Sequence, residues 1–288
     1  MLWRNPAMDL SIGLPNAVPG TTGDDITEFA RRAEARGFKS LGTIDRIVYE
    51  NYEPLVALAA AAAVTERIGL LTSVLLGPLR PSGTALAKQT QSLNALSGGR
   101  FTLGIGLGGR EDDYAAAGAD MGTRGDVLEE MLAEMKRVWD DSDIGPNREG
   151  RPGLLIGGGV QASFERAARW GDGWIAGGAP PDQFAEAAAT VKAAWSEAGR
   201  EGTPRLVCLS YFALGESGEE DAQRYLTDYY GFLGAELSAM IAASAAKDAE
   251  TVQGYVQAFE GVGCDELVFF PCSSDPAQVD LLADAAGL

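Results

Sequence analysis

Short runs rich in leucine and β-branched residues alternate along this chain with longer amphipathic segments. Residues 9–14 carry the first strand pattern. Residues 24–36 follow as a helix with acids early and arginine late, as the helix macrodipole favours, and Gly37 closes it. Residues 40–44 form a second short strand and residues 55–64 an alanine-rich helix. Residues 68–75 (IGLLTSVL) are almost continuously apolar, as expected of a parallel strand covered on both faces. Pro81 and residues 85–96 mark the next helix, which Gly98 and Gly99 end before a strand at 101–105. Beyond it the pattern predicts a helix at 127–139 and strands at 154–156, 174–176, 206–214 and 266–270. Helices at 163–170, 184–198, 251–261 and 277–286 fall between or after them.

Eight strands, each followed by helix, predict an α/β fold of the (β/α)8 TIM-barrel kind, and 288 residues suffice for one such domain spanning 1–288. A doubly wound sheet is the alternative, but its glycine fingerprint is missing after strand one. Residues 1–7 read as a short leader. Residues 106–152 read as an excursion after strand four, with a loop at 140–152 rich in glycine, proline, asparagine and aspartate. Residues 219–247 read as a helical insertion after strand seven, longer than a crossover requires.

The formal net charge of −18 argues against nucleic acid as a partner, because its phosphates are bound by lysine and arginine. No apolar run reaches the ~20 residues of a membrane span, and the N-terminus lacks the order of a secretion signal, so a cytoplasmic location is expected. Cys208, Cys264 and Cys272 are wrongly spaced for a metal motif, odd in number, and read as buried thiols. The chain has no histidine. That excludes a Ser-His-Asp hydrolase and a histidine-ligated zinc site, and no metal is expected.

In such barrels ligands bind at the C-terminal ends of the strands. Three of these ends are glycine-rich: Gly106, Gly108 and Gly109; Gly157, Gly158 and Gly159; and Gly177 and Gly178. Glycine lets a backbone approach a ligand closely, and free N–H groups at the start of the helix containing Ser163 would favour a phosphate. Neutral backbone donors can do this despite the acidic chain.

The run LAKQTQSLNALSGGRFTLGIGLG (86–108) resembles a signature of the bacterial luciferase-like family of flavin- and deazaflavin-dependent oxidoreductases. The run LLIGGGVQASFERAARWGDGWIAGG (154–178) resembles the family's second signature, and LLTSVLLGPLRP (70–81) precedes both. Much of this is architectural: Ser97, Gly98, Gly99 and Arg100 form a turn on the bottom face, and Trp174 is expected in the core. The resemblance implies a cofactor, coenzyme F420 or FMN, with chain length and the TSV run inclining toward F420. It implies a bulge with a non-prolyl cis peptide at Ser73–Val74, against which the cofactor ring rests beside Thr72. It also implies a phosphate site at the three glycine-rich loops together with Val160. Many deazaflavin-dependent relatives carry Asp-His at the end of strand two, where this chain has Asp45 and Arg46. Arg46 is read as holding an anionic substrate or stabilising a reduced ring, or else as pairing with Asp45 or Glu50.

The implied activity is hydride transfer between the cofactor and a small organic substrate, with a monooxygenase version included. Asp45, Arg46, Glu111 and Tyr114 are the catalytic candidates, and Tyr211 is a further proton-handling candidate. F420's extra carboxylates would require Arg46, Arg80 and Arg110 near its tail. The alternatives are a degenerate barrel that binds without catalysis and a barrel acting on sugar phosphates. A homodimer through the second and third helices is a further expectation.

Overall fold

The computed structural model describes residues 8–140 and 143–288. The expected leader, 1–7, and residues 141–142 of the excursion lie outside them. The strands are β1 Asp9–Gly13, β2 Ser40–Thr43, β3 Gly69–Thr72, β4 Leu75–Leu76, β5 Phe101–Gly106, β6 Gly153–Gly157, β7 Gly173–Ile175, β8 Arg205–Phe212 and β9 Glu266–Pro271. All pairings are parallel, and β3 and β4 both lie against β5, so they act as one interrupted barrel strand. The ring runs β3-β2-β1-β9-β8-β7-β6-β5 and closes through the β3–β5 pairing. The result is a closed parallel barrel of eight strand positions surrounded by helices, as the alternation predicts.

The helices are α1 Gly23–Arg36, α2 Pro54–Ala63, α3 Gly83–Leu96, α4 Glu111–Ala117, α5 Arg124–Asp140, α6 Gln161–Trp170, α7 Pro181–Glu197, α8 Gly218–Tyr229, α9 Ala235–Ala243, α10 Ala249–Gly261 and α11 Ala277–Ala286. Helix α1 starts with a reciprocal cap between Thr22 and Asp25 and ends at Gly37, whose φ of 86° is left-handed. Three elements differ from the sequence pattern. The apolar run at 68–75 is broken at Ser73–Val74. The short helix α4 arises inside the glycine-rich excursion. The helical stretch at 219–247 is interrupted after Tyr229 by a 3-10 turn, Gly231–Leu233, before α9 begins at Ala235. Gly231 and Gly234 supply the break, because glycine is a poor helix residue and Gly234 takes a φ of 90°.

One apolar layer lies between strands and helices, with Phe29, Leu58, Phe101, Phe184 and Leu282 fully buried. A second fills the barrel, with Leu71, Leu155, Val207, Val268 and Phe270. The Phe270 ring takes the central space: a Cβ on Gly13 would lie 2.2 Å from it, and one on Gly42 would lie 2.8 Å from it. These two strands are therefore glycine where the ring crosses them.

The bottom of the barrel is closed by polar groups. Glu266 Oε1 accepts from the hydroxyls of Ser11 (2.5 Å) and Ser40 (2.5 Å), and Oε2 accepts from Arg205. On the same face Arg100 donates to the carbonyls of Ile68 (2.6 Å), Ser97 (2.7 Å) and Thr65 (3.0 Å). The Ser97–Arg100 turn is thus architectural.

Candidate functional site

Two adjoining cavities open at the C-terminal ends of the strands. The larger, about 650 Å³, lies within the usual range for small-molecule sites. The smaller is about 200 Å³. They share Ser73, Val74, Gly108 and Leu209 as walls.

The peptide bond between Ser73 and Val74 is cis, as the resemblance implied. Val74 lies against the backbones of two neighbouring strands. A Cβ on Gly106 would sit 2.8 Å from Val74 Cγ2, and one on Gly157 would sit 2.9 Å from Cγ1. Glycine is required there by this close approach.

All three glycine-rich loops meet in the larger cavity: Gly106 to Gly108, Gly157 to Val160, and Gly177 with Gly178. Gly109 lines the smaller one. A Cβ at Gly159 or Gly177 would meet nothing within 4 Å, so the chain's own packing does not demand glycine at either. Neither amide is given an acceptor by the described residues. The Val160 N–H, by contrast, is spent on Ser163 Oγ (3.1 Å), which corrects the expectation that it is free for a ligand.

Trp174 is buried and stacked near Phe184, with ring centroids 5.6 Å apart, in line with a core role. Its indole N–H also donates to the Gly158 carbonyl (2.7 Å), which fixes the middle glycine loop.

Arg124, at the start of α5, lines the same cavity and was missed by the sequence reading. Its Nη1 donates to the Met121 carbonyl (2.5 Å), its Nε is buried without a partner, and no carboxylate pairs with it among the described residues. A cation in the first turn of a helix opposes the macrodipole, and that could have drawn notice in the sequence.

The smaller cavity has Ile44, Asp45 and Arg46 at the end of β2, Arg110 and Asp113 from the excursion, Tyr211 from β8, and Tyr229, Tyr230 and Phe232 from the insertion. Arg46 does not pair with Asp45 or Glu50, and it is not free for an anion. Its Nε donates to Asp113 Oδ2 (2.6 Å), and its Nη2 donates to Asp112 (2.9 Å) and to the Val48 carbonyl (3.0 Å). The other Asp113 oxygen accepts from the N–H groups of Ile47 (2.9 Å) and Val48 (2.7 Å). Buried charges persist when they are paired in this way.

Asp45 is held on one side only. Its Oδ2 accepts from the Leu76 N–H (2.8 Å) and from Arg80 (2.5 Å), while Oδ1 is buried without a partner. Burial pushes the carboxyl up to about 6 against the opposing pull of Arg80. Ser73 Oγ is likewise buried and unpartnered.

Tyr211 and Tyr230 share a hydrogen bond (2.8 Å), and burial raises both phenols. Arg110 lies over the rings of Phe232 (4.0 Å) and Tyr229 (4.4 Å), with no ion pair among the described residues.

The other candidates fall outside both cavities. Glu111 is exposed at the start of α4. Tyr114 is buried and donates to the Leu107 carbonyl, so it props the loop after β5. Thr72 Oγ1 donates to the Gly104 carbonyl (2.7 Å) and accepts its N–H (2.9 Å), a strand-bridging role. No cluster that could hold a metal occurs among the described residues.

A family model described as luciferase-like monooxygenase matches residues 2–268. An uncharacterized protein of Mycobacterium tuberculosis is 33% identical over 174 residues, covering 54% of this chain and 61% of its own length. The chain thus spans about three-fifths of that relative. Pyrimidine monooxygenase RutA of Stutzerimonas stutzeri is 24% identical over 195 residues, covering 60% of this chain and 53% of that one. Among solved structures, an F420-dependent secondary alcohol dehydrogenase in complex with an F420-acetone adduct superposes with a TM-score of 0.79 at 17% identity, covering 98% and 99% of the two chains. Monooxygenase RslO1 from Streptomyces bottropensis gives 0.76 at 22% identity, covering 96% and 98%. The oxygenating constituent of 3,6-diketocamphane monooxygenase from Pseudomonas putida, in complex with FMN, gives 0.73 at 18%, covering 96% of each. Likeness at these identities shows the fold alone.

Proposed function

This chain belongs to the luciferase-like monooxygenase family, and from that premise we propose that it is an oxidoreductase whose larger cavity holds a flavin-type cofactor beside Val74. The observation that carries the reading is one cavity lined by the open glycines Gly159 and Gly177 and by the unpaired guanidinium of Arg124. Neutral backbone donors and one arginine suit a single phosphate group. The orphaned Ser73 Oγ, in the wall common to both cavities, suits a polar edge of the ring system.

Of the two cofactors, this arrangement favours FMN over F420. The further carboxylates of F420 call for further cations. Of the three arginines expected near its tail, Arg46 is neutralised by Asp112 and Asp113 and Arg80 by Asp45 and Glu53, which leaves Arg110 alone. When bound, the flavin supplies hydride-level redox chemistry that the side chains lack. The chain's own contribution is to grip the phosphate, to seat the ring beside Val74, and to present a small organic molecule from the adjoining cavity. Loops clamped by Tyr114 and Trp174 hold the seat still.

FMN, riboflavin and F420 titrated against the purified protein, followed by fluorescence, test the reading. FMN is expected to bind with quenching. Arg124→Met should weaken FMN by roughly ten- to a hundredfold while leaving riboflavin, which has no phosphate, unchanged. Absence of quenching by both FMN and F420 rejects the proposal.

A further inference from the structure

The smaller cavity holds a contradiction that packing does not resolve. Two polar atoms in its walls, Asp45 Oδ1 and Ser73 Oγ, are buried without partners, although buried polar atoms are almost always hydrogen-bonded. Arg46, the other cation beside Asp45, is locked to Asp112 and Asp113. The Arg110 guanidinium lies against Tyr229 and Phe232 and has no ion pair among the described residues. The remaining walls, Ile44, Val74, Leu76, Leu209, Tyr211 and Tyr230, are apolar or aromatic. A ligand that fits is therefore small and largely apolar, with a hydrogen-bonding group for the unpartnered carboxyl oxygen.

We infer that the smaller cavity is the substrate chamber and that Asp45 is its proton-holding residue, taking a small, largely apolar molecule that presents a hydroxyl to Oδ1. This rests on the oxidoreductase reading above and deepens it. When the proton moves, the ligand's O–H bond breaks and a new O–H bond forms on Oδ1. The carboxylate becomes neutral and the ligand oxygen gains the electron pair. Arg80 and the Leu76 N–H hold Oδ2 throughout, so only one oxygen is offered. The chain without histidine thus places its proton one residue before Arg46, on a carboxyl that burial has brought into the physiological range.

The charged and titratable groups around Asp45 are Arg80 and Glu53 behind it and Arg46 beside it. Asp113, which is bonded to Arg46, and Arg110, Tyr211, Tyr229 and Tyr230 complete the charged and titratable lining of the cavity. Burial holds the three phenols in their protonated form across the neutral range.

Phenol is a suitable probe. Its own proton leaves only near 10, by analogy with tyrosine, and it can be added to cofactor-free protein. Calorimetric affinity should rise about tenfold between pH 5 and 7, with a midpoint near the carboxyl's value of about 6, because a carboxylate accepts a stronger hydrogen bond than the acid does. Anisole, which lacks the O–H, should show no such rise. Asp45→Asn should bind phenol weakly and without pH dependence. Arg80→Met keeps the carboxyl but removes its cation, so the midpoint should move upward. A flat native profile, undetectable phenol binding, an unchanged profile in Asp45→Asn, or an unmoved midpoint in Arg80→Met would each overturn the assignment. FMN quenching is scored separately. Phenol linkage without FMN binding would sink the cofactor reading alone, and FMN binding without linkage would sink this inference alone.

Discussion

The two ends of the barrel interior each bury a carboxylate, and they treat it in opposite ways. At the bottom, Glu266 has both oxygens occupied by Ser11, Ser40 and Arg205. At the top, Asp45 has one oxygen occupied and one empty. The first arrangement closes the cylinder; the second leaves a binding valence inside a cavity wall. Burial alone therefore does not mark a site. An unanswered hydrogen-bonding atom on a residue that lines a cavity does.

Glu266→Ala should break this comparison most forcefully. It strips Arg205 and two serines of a shared partner, and the expected loss is about 3–5 kcal/mol of stability, read from the denaturant midpoint. A loss below ~1 kcal/mol would mean that the bottom network holds nothing together.

A smaller effect, of opposite character, is expected at the top. The Asp45 carboxyl titrates near 6 in the folded chain and near 3.8 without its surroundings. The folded form therefore binds more protons between those values, and stability falls as pH rises from about 4 to 6. The cost above that window is on the order of 3 kcal/mol. Stability of the native chain relative to Asp45→Asn should decline across that window. Curves that run parallel would show that the carboxyl is not so perturbed.

The smallest stability effect separates two glycines. Gly173→Ala places a Cβ 2.1 Å from the Arg205 carbonyl and should destabilise by about 1–3 kcal/mol. Gly159→Ala meets nothing, so stability should stay within ~0.5 kcal/mol while FMN affinity falls. Equal stability losses at both positions would erase the distinction between frame and cradle.

The barrel was legible because parallel strands buried on both faces leave continuous apolar runs, and β5, β6 and β9 fall where those runs predict them. The convergence of the glycine-rich loops was legible too, since strand ends share one face of the fold. Periodicity could not see the break at Ser73–Val74, because valine and leucine continue the apolar run through it; only the resemblance flagged it. The Arg46–Asp113 lock was illegible for another reason. It depends on which distant carboxylate a side chain meets, and spacing along the chain carries no record of that. Glu266 was the overlooked clue: a charged residue opening the apolar run ELVFFP needs a partner across the barrel.

The lock on Arg46 has a consequence for how this chain could change. A lone Arg46→His replacement would bring an imidazole to the end of β2, but it would leave the Asp113 carboxylate sealed in the wall without its guanidinium. The two positions are therefore coupled: neither can be exchanged to advantage unless the other changes with it. A laboratory lineage seeking imidazole chemistry here would have to cross that valley in a double step.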